Sequence, residues 1–156
     1  MQHRPGRVLL VEDNDDDAEL TMMALSRHGL GVAEVVRASD GAQALEAIDR
    51  ALQDPELALP SLTLLDLKLP RRSGLEVLRD IRAGDPTRQM PVVVLTASAE
   101  PEDTEAAYRL NVNAYLKKPL DRASFVDVVG TLAQFWLEFN ELPEGVGMPR
   151  LKQSSR

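Results

Sequence analysis

The chain has no cysteine, which removes disulfides, thiolate metal sites and thiol nucleophiles from consideration together. Long hydrophobic runs are missing too. Met1 to Gly6 is polar, and the apolar run behind it, Val8 to Val11, is far too short for a signal peptide or a membrane span. The expectation is a cytoplasmic protein with no membrane association. Positive charge is in deficit, with 18 Lys and Arg against 25 Asp and Glu and a net charge of −7. Such a chain is repelled by a nucleic acid backbone, so no nucleic acid is expected as a partner. Its 156 residues, without an internal repeat, fit one domain with a short appendage.

Four short apolar runs are present: Val8-Leu9-Leu10-Val11, Leu62-Thr63-Leu64-Leu65, Val92-Val93-Val94-Leu95 and Ala114-Tyr115-Leu116. Because they do not alternate with polar residues, they suit strands covered on both faces, as in a parallel sheet. A more polar stretch, Ala33 to Ala38, suits an edge strand. Segments with helical spacing lie between them, such as Ala18, Met22 and Leu25, or Leu75, Leu78 and Ile81. Five alternations of strand and helix predict an α/β fold with helices on both faces. Asn14 is placed to cap the first helix and Asp15 to Asp17 to favour its dipole, while Gly29, Gly41, Gly74 and Pro91 sit at junctions. Pro143 to Arg156 mixes Pro, Gly, Ser and basic residues and reads as a flexible C-terminal tail.

Three carboxylates stand directly after apolar runs: Glu12 and Asp13 after the first, Asp66 after the second in chain order. In a doubly wound sheet of order 2-1-3-4-5 these are carboxyl strand ends flanking the switch point, where ligands bind. Acids converging there repel unless a proton or cation intervenes, and an all-oxygen set suits Mg²⁺. Singly, each acid is equally well read as a helix cap or a strand end. The combination decides: Thr96 and Ala97 follow the Val92 run, Tyr115 lies in the last run, and Lys118 directly precedes Pro119.

The set Glu12-Asp13, Asp66, Thr96-Ala97, Tyr115 and Lys118-Pro119 resembles the receiver domains of two-component response regulators over roughly Arg7 to Glu138. The resemblance implies a flavodoxin-like doubly wound (βα)5 fold with a five-stranded parallel sheet, and a receiver domain over 1–142 with an extended last helix. It implies that Asp66 accepts a phosphoryl group from a sensor histidine kinase. Asp13, Asp66 and the backbone carbonyl of Lys68 would ligate Mg²⁺, with Glu12 acting through water. Thr96 and Lys118 would contact the phosphoryl oxygens. Thr96 and Tyr115 would form a switch near the last strand and helices, and the Lys118–Pro119 bond would be cis. Lys117 competes with Lys118, but the family's lysine adjoins the proline. The small Ala97 would leave the site open to the donor and to water. The position two residues after Asp66 is Lys68, where side chains vary across the family. Beyond its own phosphorylation and dephosphorylation, no enzymatic activity is implied. An alternative within the family is an intermediate that hands the phosphoryl group to a histidine phosphotransfer protein.

Two rivals lack what they need. A haloacid-dehalogenase-like phosphatase requires a second Asp at position 68, which is lysine. A dinucleotide binder requires a Gly-rich first turn, where this chain has Glu12-Asp13-Asn14-Asp15. The extended last helix with Phe135-Trp136-Leu137, then Leu142-Pro143, and the long connection Gln53 to Ser61 are similar to small response regulators that partner bacterial phytochromes. A wheel over Phe125 to Glu141 places Phe125, Val128, Val129, Leu132, Phe135, Trp136 and Phe139 on the core arc. Val126, Gly130, Ala133 and Leu137 continue beside it as a candidate homodimer seam.

Overall fold

In the computed structural model, which describes residues 7–29 and 34–147, five strands alternate with five helices. The order is β1 (Val8–Val11), α1 (Asp15–Ser26), β2 (Val35–Ala38), α2 (Gly41–Gln53), β3 (Leu62–Leu65), α3 (Gly74–Ala83), β4 (Val92–Thr96), α4 (Pro101–Arg109), β5 (Ala114–Lys117) and α5 (Arg122–Ala133). All strand pairs are parallel and the sheet order is β2-β1-β3-β4-β5. The fold is therefore the expected flavodoxin-like α/β architecture.

The continuous apolar runs are explained by two cores, one on each sheet face. Leu9, Val11, Leu65, Val92 and Val94 meet Ile48 of α2, Leu78 and Ile81 of α3 and Ala107 of α4. Val8, Leu10, Leu62, Leu64 and Val93 meet Ala24 and Leu25 of α1 and Phe125 and Val129 of α5. Side chains of successive strand residues point to opposite faces, so each run feeds both cores.

Local chemistry sets the helix starts. The side chains of Asn14, Asp40, Ser73 and Asp121 each accept a hydrogen bond from a backbone N–H in the first turn of the following helix. Asp40 and Gln43 cap reciprocally: Gln43 N donates to Asp40 Oδ1 and Ser39 N to Gln43 Oε1, both at 2.8 Å.

Two expectations at the end of the chain are corrected. After Ala133 the helix widens into a π-helical turn, Gln134–Phe139, closed by Asn140 N donating to Phe135 O. A wider turn advances fewer degrees per residue, so Phe135 and Phe139 rotate off the core arc and are 51% and 66% exposed. The segment from Pro143 is not loose over its described part. Val146 is buried and bridges Leu59, with Leu59 N donating to Gly145 O and Gly147 N to Leu59 O, and Leu142 packs against the core. The rest of the expected tail, 148–156, lies outside the described residues.

The proposed seam is also altered. Ala133 is buried in the α1–α5 core, and a Cβ on Gly130 would lie 2.8 Å from His28 Nε2. The small residues do admit a second element, but that element is this chain's own α1 and the turn after it. Val126 and Leu137 are left half-buried beside them.

Candidate functional site

The carboxyl ends of β1, β3, β4 and β5 form one rim. β1 delivers Glu12 and Asp13, β3 delivers Asp66, β4 ends on Thr96 and β5 leads into Lys118. Glu12, Asp66 and Thr96 are buried, whereas Asp13 is exposed. Glycine supports the backbone position of Asp66: a Cβ on Gly74 would come within 2.2 Å of the Asp66 carbonyl oxygen, so only glycine lets α3 start this close to it. Gly74 N donates to Leu67 O at 3.0 Å, folding the intervening loop back on itself.

Every polar atom of the Asp66 carboxylate is engaged. Oδ1 accepts from Thr96 Oγ1 at 2.8 Å and from Lys68 N at 3.2 Å, and Oδ2 accepts from Lys118 Nζ at 2.9 Å. Lys118 Nζ also reaches Glu12 Oε2 at 2.7 Å and Asp17 Oδ2 at 2.9 Å. Burial opposes the charge of this ammonium, but the hydrogen bonds it donates to Glu12, Asp17 and Asp66 outweigh it and raise the lysine pKa. Burial pushes the Glu12 carboxyl upward, with the bond from Lys118 working against it. Glu12 is fixed further by Asn14 N donating to its Oε1 at 3.1 Å.

Glu12, Asp13 and Asp66 each bring a carboxylate oxygen within 4.8 Å of the others. With Asp17 this makes four acids at the rim, three of them, Glu12, Asp17 and Asp66, paired with one ammonium. A hard divalent cation fits that donor set, since it is all oxygen, is undercompensated in charge, and has exposed Asp13 as its open side. Beside Asp13 a cleft of about 490 Å³, lined by Leu67, Lys68, Pro70 and Asp103 among others, gives access from solvent.

The remaining positions distribute as follows. Lys117 is exposed, so of the two adjacent lysines Lys118 is the one in the site. Ala97 is exposed. The Lys68 side chain pairs with Asp103 across the cleft beside Asp13, its Nζ 3.7 Å from the carboxylate. Tyr115 donates from its hydroxyl to Ser98 O at 3.0 Å and packs against the α2–α3 core, beside the loop that follows Thr96. The Lys118–Pro119 bond, expected cis, is trans, because no cis peptide occurs among the described residues. Trans is the intrinsically preferred isomer even before proline, by about 0.5–1 kcal/mol. In this geometry Lys118 already meets its three carboxylates. Asp17 is the residue that sequence reasoning missed. In sequence it reads only as a favourable charge for the dipole of α1, though its place one turn after Asp13 keeps it on the face of α1 nearest the site.

Comparison with known proteins agrees with this geometry. The family model for the response regulator receiver domain matches residues 8–130. A probable methanogenesis regulatory protein, FilR2 of Methanothrix harundinacea, is 41% identical over 140 residues, covering 89% of this chain and 88% of its own. The response regulator Rcp1 of Synechocystis is 35% identical over 89% of this chain and 94% of its own. The crystal structure of its Mn²⁺-bound form superposes with a TM-score of 0.80, covering 89% and 99% of the two chains. The bacteriophytochrome response regulator RtBRR is 44% identical with a TM-score of 0.68, covering 91% and 86%. The class defined by fold and rim is thus a signalling receiver, and the chain belongs to the response regulator receiver family, with phytochrome-associated regulators among its relatives.

Proposed function

We propose that this protein is a single-domain response regulator that accepts a phosphoryl group on Asp66 from a sensor histidine kinase. The observation that carries the reading is Asp66 itself, buried at a strand end between a hydroxyl donor, Thr96, and an ammonium, Lys118. An Asp66 oxygen attacks the phosphorus of the donor phosphohistidine. A new O–P bond forms, the P–N bond breaks, and the imidazole leaves with its electron pair. Asp13, Asp66 and the carbonyl of Lys68 would hold Mg²⁺, with Glu12 assisting through water. When bound, the ion neutralises charge on the transferring phosphoryl oxygens. Lys118 and Thr96 serve those same oxygens from the other side as a charge and a hydrogen-bond donor. Exposed Ala97 leaves the approach clear. Thr96 and Tyr115 then form the switch: movement of Thr96 toward the phosphoryl group disturbs the adjoining loop on which Tyr115 is hydrogen-bonded.

The kinase is proposed to be of the bacterial phytochrome type, on the strength of relatives such as RtBRR, whose name ties it to a bacteriophytochrome. A homodimer through the last helix is proposed as the assembly. Its apolar contacts come from exposed Phe135 and Phe139 beside half-buried Leu137, rather than from Gly130 and Ala133. No helix among the described residues is long and apolar enough to cross a membrane.

The test is chemical. With Mg²⁺ and acetyl phosphate, the protein becomes labelled with acid-stable, base-labile phosphate, and Asp66→Asn abolishes the label. Undiminished labelling of Asp66→Asn overturns the assignment.

A further inference from the structure

The proposed reaction leaves one of the carboxylates on Lys118 without a part. Asp17 lies outside the group of acids close enough to share a cation, is not the nucleophile, and comes from α1 rather than from a strand end. Yet its Oδ2 is 2.9 Å from Lys118 Nζ, as near as that of Asp66.

An ammonium has three N–H groups, and here each has an acceptor: Glu12, Asp17 and Asp66. The N–H directed at Asp66 Oδ2 points at the atom group that would carry the phosphoryl group, so it is the working donor. The other two bonds fix its direction. With both in place the ammonium cannot rotate, whereas with Glu12 alone it can pivot about a single N–H···O axis and swing the working donor off target. Glu12 cannot supply the second restraint, since its other oxygen is committed to Asn14 N. The two anchors also differ in exposure. The Glu12 side chain is 5% exposed and that of Asp17 is 35% exposed, so Asp17 sits at the mouth and ties the end of β5 to the first turn of α1.

Building on the proposed phosphoryl acceptance at Asp66, we propose that Asp17 is a positioning residue that orients the Lys118 ammonium toward the phosphoryl oxygens. Asp16 provides the control, because it is an exposed acid in the same first turn with no ion pair among the described residues. Asp17→Ala and Asp16→Ala each remove one negative charge and one first-turn acid, so a general electrostatic or helix-stability effect appears in both.

The experiment measures Mg²⁺ binding by calorimetry and, at saturating Mg²⁺, binding of beryllofluoride, which takes the place of the phosphoryl group. The expected result is equal Mg²⁺ affinity in the two variants, with beryllofluoride binding weakened about tenfold in Asp17→Ala alone, the scale of one charge-assisted hydrogen bond. Equal beryllofluoride affinity in the two variants, or tighter binding in Asp17→Ala, overturns the positioning role. A wild-type protein that fails to bind beryllofluoride at Asp66 overturns instead the functional reading on which this role rests.

Discussion

Asp13 and Lys118 share a rim but answer to opposite charges, and substitution separates them. Asp13 is an exposed carboxylate with no protein cation on it among the described residues, whereas Lys118 is already neutralised by three acids. Asp13→Ala is expected to weaken Mg²⁺ binding by about tenfold or more, the scale seen when a metal's ligand environment is damaged. Lys118→Ala should leave Mg²⁺ binding largely intact, because an ammonium is no ligand, yet impair the phosphorylated state. Calorimetry on both variants, paired with acetyl phosphate labelling, checks this, and loss of the metal in Lys118→Ala to the extent seen in Asp13→Ala would remove the division of labour. At this scale the sequence was informative where chemistry is tied to strand ends. Glu12, Asp13, Asp66, Thr96 and Lys118 each adjoin an apolar run, and the fold brings those ends together. Asp17 has no such marker. It lies among three consecutive acids whose ordinary role at a helix start is sufficient explanation, and only the three-dimensional placement of Lys118 singles it out.

Among the elements, α2 and α3 begin on glycines that are held against backbone. A Cβ on Gly41 would come within 2.2 Å of Arg72 O, and one on Gly74 within 2.2 Å of Asp66 O. The clashes match in distance but differ in consequence. Gly41→Ala and Gly74→Ala should each lose about 1–3 kcal/mol in urea unfolding, as overpacked sites do. Gly74→Ala alone should also slow labelling of Asp66 at saturating Mg²⁺, since the displaced backbone is that of Asp66. Equal labelling rates in the two variants would show that the start of α3 does not set the position of Asp66. Strands and helices were legible because burial on two faces demands unbroken apolar runs and burial on one face demands helical spacing. The π-helical turn was not legible. Gln134 to Phe139 contains neither Pro nor Gly, and nothing in its pattern marks the change of pitch that turns Phe135 and Phe139 outward.

For the whole molecule, that change of pitch bears on the proposed contact between copies. Phe135 and Phe139 of the expected core arc are displayed, while Gly130 and Ala133 of the expected seam are covered by α1 and the turn after it. Sedimentation of the wild type and of a Phe135→Glu, Phe139→Glu variant, each with and without beryllofluoride, is expected to show a wild-type dimer that the double substitution dissociates. A wild type that stays monomeric at high micromolar concentration in both states removes the dimer. The bridge between Leu59 and Val146 bears on the molecule in another way, through time. It joins the middle of the chain to its far end, and closing so large a loop is repaid only after the intervening strands have assembled. Its hydrogen bonds rest on backbone at the margin of the sheet rather than within a ladder. The closure is therefore expected to form late and to open early, a seal fastened over a finished core at the end of the sheet opposite the carboxyl-end rim.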